Sequence, residues 1–310
     1  MRALVARRLD GPATAELIET PTPEPGAGQV RIKVAAAAVN PVDIATTDGT
    51  LINYNLTAPR EQFGIGWDVA GTVDAAGPGA DLPVGTAVIG VADLLGRPLK
   101  THAEYVVLNA SAVAPAPAGL QLAEASTFGL NALTAHQAFN AMALTPGQTV
   151  LVTGAAGGVG GYAVELGKHR GLTVVATAGE DDEQFVRSLG ADHFVPRSAD
   201  VTAAVHALFP AGVDGLVDAA VIGIGAQESV RNGGVHAHVV AGPPPTSLRG
   251  ITVFPIFANA NRADLVELVR LAEAGVISTR VADTYSLEDG PTAYERLAKG
   301  GVRGRLVLIP

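Results

Sequence analysis

The chain has 310 residues, of which 48% are hydrophobic and 16% charged, with 37 glycines, few aromatics and no cysteine. A formal net charge of -9 with no run of Lys or Arg removes the electrostatic basis for nucleic-acid binding, and the missing cysteine excludes disulfides, thiolate zinc sites and cysteine nucleophiles together. This composition suits a packed, soluble α/β protein, and the length predicts two domains with a cleft between them.

In chain order, the opening "MRALVARRLDGPATAEL" is broken by charges and lacks the apolar core of a secretory signal. No apolar run reaches about eighteen residues, so no membrane span is expected and the cytoplasm is the default location. Up to about Leu108 the short runs "RALVARR", "QVRIKVAAAAVN", "VAGTVDAAG", "TAVIGVA" and "AEYVVLN" read as strands separated by Pro and Gly punctuation. That pattern predicts a β-rich, Greek-key-like or barrel-like unit. The Pro-rich "AVAPAPAG" that follows reads as a connector.

Beyond it, helix-like and strand-like segments alternate. "LAEASTFGLNALTAHQAFNAM" reads as helix, "TVLVTG" as strand, "GVGGYAVELGKHRG" as helix, "TVVATAG" as strand, "DEQFVRSLG" as helix and "HFVP" as strand. "DGLVDAAV", "GGVHAHVVAG" and "RGITVFPIF" add three more strands. Strands alternating with helices of about 10–15 residues predict βαβ units and a doubly wound parallel sheet. The tail from about Ala258, with the helix "RADLVELVRLAEAG" and the last strand "GRLVLIP", is shaped like a return to the first domain. The expected division is therefore 1–118, 119–257 and 258–310.

"VTGAAGGVGGYA", Val152 to Ala163, places five glycines between a strand and a helix. That flanking is what a dinucleotide-binding turn requires: one glycine for the bend, one for close approach to the pyrophosphate, one for helix-to-strand packing. Gly157 and Gly160 take the last two roles. The strict GxGxxG spelling fails, because Ala155 stands at its first glycine, with Gly154 one residue earlier. A helix starting near Gly158 would aim its free N–H groups and positive end at the phosphates. The second strand ends in small residues followed by Glu180, Asp181, Asp182 and Glu183. These acids read either as groups that repel a 2′-phosphate or as the solvated first turn of the next helix.

Taken with "AAAAVNPVDIAT", "GWDVAGTVDAAGPGA", "AEASTFGLNALTAHQAF" joined to "PGQTVLVTGAAGGVG", "RSLGADHFV" and "GVRGRLVLIP", the chain resembles over its whole length the zinc-independent quinone oxidoreductase (zeta-crystallin-like) branch of the medium-chain dehydrogenase/reductases. The resemblance implies an α/β protein with a GroES-like catalytic domain, a Rossmann domain and a returning C-terminal segment. It further implies a homodimer paired along Gly250–Phe257. Where zinc-containing relatives hold the metal, this chain has Asn40, Trp67 and Leu130, so no zinc is expected. The implied reaction is hydride delivery from NADPH, favoured over NADH, to a quinone or an α,β-unsaturated carbonyl. The alternatives are a biosynthetic enoyl reductase or reductive cyclase with a dedicated substrate, and a non-catalytic NADPH-binding sensor or scaffold.

By the same resemblance, Thr134 packs beside the nicotinamide, with Leu130 and Asn131 lining that pocket. Asn40 reads equally as an amide donor to the acceptor carbonyl or as an Asn–Pro turn that orders its loop. Asp43 is a catalytic candidate, although it and Asp68 also read as groups that fix nearby backbone. Tyr54 and Trp67 are either an aromatic wall for a flat acceptor or plain core and rim. The cofactor contacts expected are Thr134, Gly154, Ala155, Ala156, Gly157, Gly158, Val159, Gly160, Thr177, Gly179, Arg197, Val221 and Gly242. Arg197 stands where NADPH-using relatives often place a tyrosine, and its guanidinium suits a 2′-phosphate. The seven histidines show no metal-ligand spacing and read as structural or surface groups, "HAH" pointing both rings to one face.

Overall fold

The computed structural model describes residues 1–239 and 242–310, and it divides into two compact units. Unit 1 comprises Met1–Leu130, Asn259–Ala274 and Thr279–Pro310; unit 2 comprises Asn131–Ala258 and Gly275–Ser278. Among the described residues no helix is long and apolar enough to cross a membrane.

In unit 1 the strands are β1 (Arg2–Ala6), β2 (Glu16–Glu19), β3 (Gln29–Ala38), β4 (Phe63–Gly64), β5 (Asp68–Ala76), β6 (Ala87–Val91), β7 (Tyr105–Asn109) and β8 (Val113–Pro115). β2, β1 and β4 form a small antiparallel sheet. β3 is the hub of the larger sheet, pairing antiparallel with both β5 and β7. Its alternation buries Val30, Ile32 and Val34 on one side, packed with Val69, Val73, Val88 and Val106, as a strand with one face on a core requires.

Unit 2 holds β9 (Thr149–Thr153), β10 (Thr173–Ala178), β11 (His193–Pro196), β12 (Val213–Asp218), β13 (Val230–Val239) and β14 (Thr252–Ile256). They form one sheet in the order β11-β10-β9-β12-β13-β14, with every neighbouring pair parallel. That is the doubly wound order, whose switch point falls between the first and fourth strands, here β9 and β12. All five residues of "TVLVT" are buried, as expected of a central strand covered on both faces. The chain then returns to unit 1 through the helix Arg262–Glu273, β15 (Val281–Ser286), the helix Gly290–Ala298 and β16 (Arg305–Ile309). β16 pairs with β3 across the length of the sequence.

Several expectations shift. The single helix read over 122–142 is two, Leu122–Ala125 and Gly129–Met142, broken where Ser126 and Thr127 turn their hydroxyls onto backbone carbonyls three residues back. "NPVDIATT" contains a helix, Pro41–Thr47, that the strand-rich surroundings hid. The strand expected over 233–242 begins earlier, at Val230; Val240 and Ala241 lie outside the described residues.

The glycine turn is sterically closed. Gly154 has φ +62°, the left-handed conformation that suits glycine. A Cβ on Gly160 would lie 2.1 Å from the Gly154 carbonyl oxygen and 2.9 Å from Ala155 Cα. Gly160→Ala must therefore push the helix off the turn. A stability loss of about 2–4 kcal/mol is expected in urea unfolding, and a loss under about 0.5 kcal/mol would show that the turn relaxes freely.

Candidate functional site

In unit 2 the helix Gly158–His169 starts at the glycine turn, with Gly157 as its extended cap. No side chain caps this end, and Gly157, Gly158 and Gly160 bring no Cβ over it. The first-turn amides thus have no partner in their own helix and form an anion-binding end. The turn is tied to the next strand, since Ala155 N–H donates to the Thr177 carbonyl at 3.0 Å. Gly179 ends that strand, and the exposed Arg197 guanidinium lies beside it, 3.9 Å from where a Gly179 Cβ would be. Of the acids beyond, Glu180 accepts from Ser198 at 2.7 Å and Glu183 pairs with Arg187 at 2.8 Å in its own helix. Those two side chains are engaged as a helix start engages them. The turn, the bare helix end and Arg197 suit a dinucleotide with its adenosine ribose beyond Gly179.

After β12, Asp218 shapes the loop that carries Val221. Its Oδ1 accepts from Thr153 Oγ1 at 2.6 Å and from Ile222 N–H at 3.1 Å, and its Oδ2 accepts from Gly223 N–H at 2.7 Å. Val221 is held at φ +56° and left partly exposed. Asn131 and Thr134 are buried one turn apart on the helix Gly129–Met142, sharing a face with Leu130.

Unit 1 contains a buried polar cluster around Asn40, which stands before the helix Pro41–Thr47. Asn40 Nδ2 donates to Asp68 Oδ2 at 2.8 Å and to the Ala38 carbonyl at 3.2 Å, and its Oδ1 accepts from Arg305 at 2.5 Å. Both amide hydrogens are therefore engaged within the protein. These contacts tie Asn40 into the loop that precedes the helix Pro41–Thr47. Asp43 accepts from Asn40 N–H at 2.7 Å and from Gly66 N–H at 2.9 Å, so its carboxylate fixes two stretches of backbone. Asp68 Oδ1 accepts from Leu130 N–H at 2.5 Å. Burial pushes the Asp68 carboxyl up to about 6, against the pull of Arg305 and of its hydrogen-bond donors.

Trp67 is buried, and its indole face carries the Lys100 ammonium 3.6 Å from the ring centroid. Tyr54 is 46% exposed, so Trp67 is paired with a cation here and Tyr54 is rim. Lys100 is itself buried. Desolvation pushes its ammonium down to about 7, opposed by Asp43, Asp93 and Asp68. His102 accepts the Tyr294 hydroxyl at Nδ1 (2.6 Å) and donates Nε2–H to Ala38 (3.3 Å). Burial holds its pKa below the ordinary value, so the ring is neutral. Lys100, His102 and Arg305 were not singled out in the sequence. A lysine inside a run leading to a strand, and an arginine opening the last strand, look like surface residues until the fold buries them.

Residues 26–118 match the alcohol dehydrogenase GroES-like domain family, and residues 189–308 match the zinc-binding dehydrogenase family. A probable quinone oxidoreductase of Leishmania amazonensis is 33% identical over 76% of this chain and 68% of its own length. The solved quinone oxidoreductase of Coxiella burnetii superposes with a TM-score of 0.87 at 27% identity, covering 100% of this chain and 99% of that one. A mycobacterial structure complexed with NADPH superposes at 0.86 with 26% identity over 100% of both chains. Fold and relatives together define an oxidoreductase built from a GroES-like domain and a Rossmann-like parallel sheet. The chain belongs to the quinone oxidoreductase branch of the medium-chain dehydrogenase/reductase superfamily.

The zinc in the second family's description finds no fit around Asn40. Each oxygen of Asp43 and Asp68 already accepts an N–H, and the cluster already holds the cations of Lys100 and Arg305.

Lys100 gives the cluster a testable pH signature. Its pKa falls from 10.5 to about 7 on folding, so between those values the unfolded chain binds the extra proton. Stability therefore rises with pH across that window, by up to about 1.4 kcal/mol per pH unit from this group. Relative to wild type, Lys100→Met is expected to be most stabilised below pH 7 and to lose that advantage toward pH 10 in urea unfolding. A difference independent of pH would place the ammonium in solvent.

Proposed function

We propose that the protein is an NADPH-dependent oxidoreductase that reduces a quinone or an α,β-unsaturated carbonyl by direct hydride transfer, with no metal at the acceptor, and that it works as a dimer paired along Gly250–Phe257. One observation carries the reading: the Gly154–Gly160 turn, where a Cβ on residue 160 is forbidden and the helix amides stand bare. It is supported by relatives that bear the quinone oxidoreductase name and by the NADPH in one similar structure. β14 is the edge of its sheet, and its Pro255 has no N–H to offer a partner strand, so such pairing would run through its other residues.

The bound cofactor supplies a hydride from its reduced nicotinamide. The chain's own residues do the rest. The turn amides would hold the diphosphate, Arg197 would receive the 2′-phosphate, and Thr134 with Asn131 would flank the ring. A reduced acceptor then needs one proton. Within unit 1 the Lys100 ammonium has the properties such a donor needs: it is buried, makes no hydrogen bond among the described residues, and titrates near neutrality. Asp43, Asp68 and Asn40 hold that part of unit 1 rigid.

Titration of the protein with NADPH and with NADH, followed by nicotinamide fluorescence, tests the cofactor. NADPH is expected to bind more tightly, and Arg197→Ala to weaken it about tenfold while leaving NADH unchanged. Equal binding of both removes the preference, and binding of neither removes the reading. A panel of quinones and enones then tests turnover: tight NADPH binding with no acceptor reduced would make the protein a sensor. For the proton, Lys100→Met is expected to lower kcat for an enone about 10²-fold and to abolish its pH dependence near neutrality. An unchanged pH–rate profile would assign the proton to solvent.

A further inference from the structure

The fold gathers three side chains that no part of the proposed reaction uses. Asp218 closes β12, while His236 and His238 lie in β13, the parallel neighbour, in a register that sets Leu216 against His236 and Asp218 against His238. Alternation along β13 puts both imidazoles on one face. All three side chains are buried, at 0%, 0% and 2% exposure. His236 Nε2 and His238 Nδ1 each lie 3.8 Å from the same oxygen, Asp218 Oδ2. One ligand atom from each residue can be chosen so that all lie within 4.8 Å of one another.

Hydrogen bonds orient one histidine of the trio and leave the other without a partner among the described residues. Gln227 donates its amide nitrogen to the Thr246 carbonyl at 3.0 Å, which turns its Oε1 toward His236 Nδ1 at 3.3 Å. His236 Nδ1 therefore donates to Gln227, and its Nε2 faces the Asp218 carboxylate. Neither nitrogen of His238 has a hydrogen-bond partner among the described residues, and neither has His236 Nε2. Two imidazole nitrogens without a hydrogen-bond partner among the described residues face one buried carboxylate oxygen, and a shared cation would remove the cost of about 1–3 kcal/mol that each buried unpaired polar atom carries.

We propose that Asp218, His236 and His238 form a binding site for a divalent transition-metal ion of the zinc class, structural in role and separate from the acceptor cluster in unit 1. Two imidazole nitrogens and one carboxylate oxygen are a zinc-type donor set, with water completing the shell. Two ligands each about 2.1 Å from one ion at an open angle stand close to 3.8 Å apart, so small movements close the site. The outer contacts are those of a built site. Gln227 sets the tautomer of one histidine, while Thr153, Ile222 and Gly223 orient the carboxylate. The ion would pin the carboxyl ends of β12 and β13 and, through Asp218, the loop Ala219–Gly223.

Tag-free full-length protein, stripped with a chelator and titrated with Co2+ and Zn2+, tests this. One ion per chain is expected, with the visible absorption of a low-symmetry Co2+ site and a higher thermal midpoint. His238→Gln is expected to weaken Co2+ binding at least tenfold. No stoichiometric binding to the wild type, or equal binding to His238→Gln, overturns the proposal. Should the variant fail to fold, X-ray absorption of the Zn2+-loaded wild type decides instead: two imidazole ligands support the site, and none or one overturns it. All these readouts stand whether or not the protein turns over a quinone.

Discussion

The carbonyl oxygen of Gly154 occupies the space that a side chain on residue 160 would need. Because residue 160 has no side chain, the helix Gly158–His169 can begin hard against the end of β9, with its first amides uncovered. The two strands beside β9 are tied to that turn. β10 is bound to it through Ala155 and Thr177, and β12 through the Thr153 and Asp218 side chains. The result is a positive helix end at the switch point of a parallel sheet, where an anion gains both dipole and hydrogen bonds.

Unit 1 meets a different constraint. It buries two carboxylates, an arginine and a lysine, and a buried charge is tolerable only when it is paired and hydrogen-bonded. The carboxylates satisfy that rule fully: Asp43 and Asp68 each accept at both oxygens, and Asn40 links Asp68 to Arg305. Lys100 satisfies it only in part, resting on the Trp67 ring with acids at longer range. Burial thus moves two groups of the cluster toward neutrality, lowering Lys100 to about 7 and raising Asp68 to about 6. The same comparison separates the two buried carboxylate sites. Around Asp68 the nearby polar groups are hydrogen-bonded to it, while around Asp218 Oδ2 two imidazole nitrogens stand 3.8 Å away without a hydrogen-bond partner among the described residues.

Much of this was legible in the linear chain. The alternation of strands and helices after Gly119 foretold the parallel sheet, and "VTGAAGGVGGYA" foretold a glycine turn between strand and helix, because both signals are local. Only the resemblance set Asn40, Trp67 and Leu130 against the metal-ligand positions of zinc-containing relatives. What those residues do instead could not be read. Whether an asparagine donates to a substrate or to a neighbour depends on which groups stand within 3 Å of it, and Asp68 and Arg305 come from 28 and 265 residues away.

Sequence by itself determined the periodicities, the glycine turn and the family pattern, since each is carried by neighbours along the chain. Tertiary structure decided the rest: that Lys100 is buried on an indole, that Asn40 has no hydrogen left to give, and that an "HAH" alternation faces Asp218. Those outcomes arise from strands brought together across the sheet, where burial strips water from a polar group and leaves its behaviour to whichever residues the fold has placed beside it.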